Sequence, residues 1–130
     1  MRDLKSNIDV AQSIAPAART TGTTTGAAVD LQNKDSAVIE YTTGAWTDGT
    51  HTPSVQESTD GTSFTDVGTA DLQGTFTAVS GTAGQNGVQR VGYVGTKRYV
   101  RGMEVHGTST TGVISGVNVI RGDPRLGPLA

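Results

Sequence analysis

The pattern of apolar and polar positions is clearest at residues 36–43, SAVIEYTT, where Ala37, Ile39 and Tyr41 fall on one face and Val38, Glu40 and Thr42 on the other. A period of two marks a strand with one buried face. Residues 113–121, VISGVNVIR, behave alike, with Val113, Val117 and Val119 on one face and Ile114 and Ile120 on the other. Residues 98–106 read as the longest strand, with Tyr99, Met103 and Val105 turned inward. Arg101 shares that parity, so it must lie at a sheet edge or meet a carboxylate, because a buried unpaired charge is costly. Shorter strands are predicted at 27–31, 54–58, 63–67, 75–79 and 88–94.

Turn chemistry punctuates these runs. Asp48-Gly49, Asp60-Gly61 and Asn86-Gly87 supply the positive φ that tight hairpins require. About eight short strands at intervals of about 8–12 residues predict an all-β fold, an antiparallel β-sandwich of jelly-roll type. No segment offers a crossover helix, which argues against a parallel sheet.

Residues 1–26 differ from the rest of the chain. Leu4, Ile8, Ala11 and Ile14 are spaced as on a short amphipathic helix that Pro16 would end. A helix this short is marginal alone, and the preferred reading is an extended arm whose Leu4, Ile8, Val10 and Ile14 dock on a neighbour. A Thr/Gly linker closes the segment. The expected organisation is therefore an arm and linker (1–26), a sandwich (27–122) and a C-terminal tail (123–130).

Composition sharpens this. Apolar residues make up 34% of the chain and aromatics 5%, so the core is expected to be thin and to gain from a partner surface or self-association. A net charge of −2 without a basic stripe argues against nucleic-acid binding. The absence of cysteine removes disulfides and thiolate chemistry. No apolar run is long enough to span a membrane, and polar residues interrupt the N-terminus where a signal peptide would be apolar. Synthesis and folding in a cytoplasm, without secretion through a cleaved signal, is expected.

Candidate chemistry is sparse. His51 and His106 lie far apart in sequence. Glu104 and His106 share a strand face, yet a zinc site needs three or four converging ligands, so a solvated strand end is the favoured reading. Asp48, Asp60 and Asp66 lack calcium-loop spacing, and the first two suffice as turn formers. Glu40, Glu57 and Glu104 read as strand-surface residues. The serine-hydrolase elbow and the phosphate loop are absent. Arg121-Gly122-Asp123 matches an adhesion tripeptide by coincidence. Trp46 is a core or interface anchor before it is a sugar platform, although Trp46, Tyr93 and Tyr99 could stack on a carbohydrate. No catalytic residue, cofactor or metal is expected.

Several strings carry a resemblance: DLQNKDSAVIEYTTGAWTDGTHTPSVQESTDGTSFTDV, DLQG, VGYVGTKRYVRGMEV and VIRGDPRLGP. They resemble small decoration, or cement, proteins of tailed-bacteriophage heads, most specifically in AWTDGTHT, VQESTDGTSFTDV and YVGTKRYVR. The chain departs from that pattern at Arg101-Gly102-Met103-Glu104, where the family has a more continuous β-branched run. The resemblance implies a non-enzymatic virion protein on the outer capsid surface. Its partners would be the major capsid protein and copies of itself, favouring a trimer around a threefold axis. A carbohydrate-binding module on the virion and another head or tail component are the alternatives.

Overall fold

The computed structural model describes residues 3–124. Ten strands carry the fold: β1 (Ile8–Arg19), β2 (Gly22–Thr25), β3 (Val29–Asp30), β4 (Lys34–Trp46), β5 (His51–Ser58), β6 (Thr65–Asp66), β7 (Leu72–Gln73), β8 (Val88–Tyr93), β9 (Tyr99–His106) and β10 (Val113–Pro124). They form two antiparallel sheets. The first has the order β1-β10-β4-β8-β7, and the second β2-β9-β5-β6, with β3 also on β9.

The pairings nest. β1 lies on β10, β2 and β3 on β9, β4 on β8, and β5 on β6. A single antiparallel ribbon, folded so that its pairs alternate between two layers, gives this order. It is the connectivity of a jelly-roll sandwich. Each strand buries alternate residues between the layers. Ile39, Tyr41, Val117 and Val119 of the first sheet meet Val55 and Val100 of the second, with Ile14, Val29 and Val79 completing the core.

The N-terminal arm is corrected. Residues 8–19 are an edge strand of the chain's own first sheet, paired with β10 from Ile8↔Gly122 to Arg19↔Val113. Ile14 is only 3% exposed and belongs to the core, and Ile8 is half-buried. Leu4 (65%) and Val10 (54%) stay exposed. Ser13, at a register shift in β1, shows why the segment stays home. Its hydroxyl donates to the Ala27 carbonyl at 2.8 Å and accepts from the Gly102 N–H at 2.9 Å. It thereby fills the gap that β2 and β3 leave along β9, where a lone buried N–H would otherwise be costly.

The parity of β9 is also corrected. Its buried face is Val100, Gly102, Glu104 and His106, while Val105 is exposed. Arg101 points outward, donates to Gln56 Oε1 at 2.9 and 2.7 Å and stacks on Phe64. Gly102 lets the layers close, since a Cβ there would lie 2.7 Å from the Val117 side chain. Residues 75–79 form no strand; Val79 makes only an isolated bridge to His51. The first residues of the expected tail, Asp123 and Pro124, extend β10, and 125–130 lie outside the described residues.

Candidate functional site

The inverted parity of β9 brings polar side chains into the sandwich. Glu104 and His106, two apart on β9, project from the same face. His51 stands directly opposite His106 in the β5–β9 register. His51 and Glu104 are fully buried and His106 is 4% exposed. Backbone pairing sets this triangle, because cross-strand neighbours on one face hold their Cβ atoms about 5 Å apart. Glu104 as a strand-surface residue and the Glu104–His106 pair as a solvated strand end are both corrected.

Each member of the cluster has hydrogen-bond partners, but Glu104 and His106 approach each other without a hydrogen bond. Glu104 accepts from the Tyr41 hydroxyl and, at 2.7 Å, from the Ser115 hydroxyl. His106 Nε2 lies 3.8 Å from Glu104 Oε1 and 2.9 Å from Thr24 Oγ1. The two imidazoles face each other, Nδ1 to Nδ1, at 2.8 Å. His51 Nε2 lies 3.0 Å from the Asp48 carbonyl oxygen. A carbonyl can only accept, so His51 carries its hydrogen on Nε2 and presents a lone pair at Nδ1. His106 then donates from Nδ1 and accepts the Thr24 hydroxyl at Nε2.

Electrostatics agree with a neutral His106 ring. Burial pushes the His106 pKa below its ordinary value, His51 and Arg19 push the same way, and Glu104 only partly opposes them. Burial, reinforced by Glu104, holds the Tyr41 hydroxyl far above its usual range and so keeps it a donor.

The Asp48 carboxylate caps the 110–112 loop. It accepts from the Thr110 N–H and hydroxyl at 3.0 and 2.9 Å, from Thr111 N–H at 3.2 Å and from Gly112 N–H at 2.6 Å. These donors, the Thr110 N–H first, lower its pKa to about 2. Its oxygens are thus occupied by donors that a calcium ion would have to displace. Asp48-Gly49 does turn the chain, with Gly49 at φ +85°, but it leads from one sheet to the other and closes no hairpin, and the Asp48 carboxylate is a loop latch.

The other singled-out residues lie elsewhere. Trp46 is half-buried against the core and donates from Nε1 to the Gly49 carbonyl at 2.9 Å. Tyr93 is buried and its hydroxyl donates to Glu57 at 2.8 Å. Tyr99 packs beside Gly61 and under Arg98. These three rings therefore share no exposed platform. In the adhesion-like tripeptide, Arg121 bonds Asp9 and the Asp30 carbonyl, while Asp123 accepts from the Ser36 hydroxyl. Both charged ends are engaged.

Among the described residues, His51, Glu104 and His106 are the group that could hold a metal ion: each offers one ligand atom, and the three lie within 4.8 Å of one another. The i, i+2 pairing of Glu104 and His106 is visible in sequence. Its burial, and the His51–His106 register, are not.

Comparisons of the chain with family models, curated proteins and solved structures return no match.

Proposed function

We propose that this chain is a structural virion protein, one that binds the outer surface of a tailed-phage capsid and stabilises it. The observation that carries the reading is the outer face of the first sheet. There Val10, Ile120 and Val38 stand side by side across β1, β10 and β4. Val10 is more than half exposed, and Ile114 of β10, also outward, is 47% exposed. A solvated sheet face is ordinarily polar, and an apolar row on one is the kind of surface that a partner covers.

A second support is the edge. β1 ends its sheet, and its outer backbone groups pair with no described strand. Such an edge can accept a strand from a neighbour. Contacts of this sort, repeated over a capsid lattice, multiply weak binding. The resemblance of AWTDGTHT, VQESTDGTSFTDV and YVGTKRYVR to decoration proteins points the same way. In this reading the partners are the major capsid protein and further copies of this chain, grouped as trimers on the capsid surface.

The test is cosedimentation of the purified protein with expanded and unexpanded capsids that lack it. Saturable binding to at least one form, with a raised capsid melting temperature, is expected. Failure to bind either form at micromolar protein removes the reading.

A further inference from the structure

We infer that His51, His106 and Glu104 form a buried site for one first-row divalent cation of the zinc class, one that ties β5 to β9. Three observations support it. The first is convergence: the two imidazoles face each other Nδ1 to Nδ1 at 2.8 Å, Glu104 Oε1 lies 3.8 Å from the Nε2 of His106, and one ligand atom from each of the three residues falls within 4.8 Å of the others. Two imidazoles and a carboxylate are the ligand types that suit such ions.

The second is the support behind each ligand. The Nε2 atoms of the two histidines meet the Asp48 carbonyl and the Thr24 hydroxyl, and Glu104 is oriented by Tyr41 and Ser115. Metal-binding histidines ordinarily hold their second nitrogen in this way. The third is the backbone. One ligand lies across the ladder from another, and the third is two residues along the same strand. The triangle is thus built into the register of two strands.

The bridging hydrogen between the two Nδ1 atoms occupies the place that the ion takes. Two nitrogens on one tetrahedral zinc stand about 3.3 Å apart, with bonds of about 2.0–2.1 Å. The rings therefore separate by about half an ångström on binding. The His106 proton moves from Nδ1 to Nε2 and is donated to Thr24 Oγ1, whose own hydrogen turns to another acceptor. The ring stays neutral and no proton is lost. Because the site is enclosed, the ion enters as the chain folds.

The full chain is unfolded in urea with a chelator, then refolded with and without Zn²⁺ and dialysed. About one zinc per chain retained, with a higher melting temperature than the metal-free protein, is expected. His51→Gln and Glu104→Gln, which keep polar groups in place, should retain several-fold less zinc and lose the thermal shift. Refolding with Co²⁺ gives an independent readout should those variants fail to fold: the intense visible bands of a low-coordinate nitrogen–oxygen site are expected. No retained zinc with unchanged melting, equal zinc in the variants, or only the faint spectrum of hydrated cobalt overturns the site.

Discussion

Tyr41 shows how single residues hold this molecule. It is fully buried, and its hydroxyl meets Glu104 where the two sheets face each other. Tyr41→Phe keeps the ring and removes one of the two hydroxyl donors to a buried carboxyl group. A loss of about 1–3 kcal/mol is expected, read by urea denaturation. Gly112 is a different case. Its φ is +74°, and a Cβ there would lie 1.5 Å from the Arg19 carbonyl oxygen. Gly112→Ala should cost at least about 2 kcal/mol, through backbone strain and displacement of the β1–β10 end.

Asp60 belongs to the same scale. The backbone N–H groups of Ser63 and Thr62 and the Ser58 hydroxyl hold its pKa down at about 2, against an ordinary 3.8. A depressed folded-state pKa contributes stability above 3.8 that disappears as pH falls toward 2. Asp60→Asn should therefore flatten the pH dependence of stability in that window. Chemical-denaturation midpoints measured across it check the slope; a slope equal to wild type would contradict this role for the carboxylate.

At the scale of elements, β1 separates what sequence makes readable from what it hides. The alternation of β4 and β10 is plain because their buried faces hold the large apolar residues, and the structure buries those faces: Ala37, Ile39 and Tyr41, then Val113, Val117 and Val119. In β9 the same logic misleads. The more apolar set, Tyr99, Met103 and Val105, faces outward, while Glu104 and His106 are buried among partners from β2, β4, β5 and β10. Those partners are distant in sequence, so nothing local announces that the polar face is satisfied. β1 hides for another reason. Its register shifts and Pro16 break its period, so it resembles an arm, and only its pairing with β10 makes it a strand.

Truncation distinguishes strand from arm. Residues 3–7 are held by local contacts, such as Asn7 N–H to the Leu4 carbonyl at 3.0 Å. A chain lacking residues 1–7 should keep its melting temperature within a few degrees. A chain lacking 1–19 loses Ile14 from the core and the Ser13 bridge, and should show no cooperative thermal transition. An unchanged transition in the longer deletion would mean that the segment is a dispensable arm after all.

For the molecule as a whole, the nested ribbon leaves two kinds of surface. The outward residues of the second sheet are largely polar, with Thr23, Val105 and Thr52 in one row and Thr25, Met103 and Ser54 in another. The first sheet carries the apolar row of Val10, Ile120 and Val38 beside a free edge. In the capsid-binding proposal, this apolar surface is the one that meets the shell. Val10→Asp lies at an exposed position and should leave folding stability nearly unchanged while weakening capsid binding severalfold or more.

The most direct measurement is a cryo-EM reconstruction of capsids lacking this protein and then saturated with it. The expected map carries jelly-roll density at repeated positions over the outer capsid surface, with the β1–β10–β4 face turned toward the shell. A map without added density, or with density confined to the portal vertex, would contradict the proposal that this sandwich decorates the capsid.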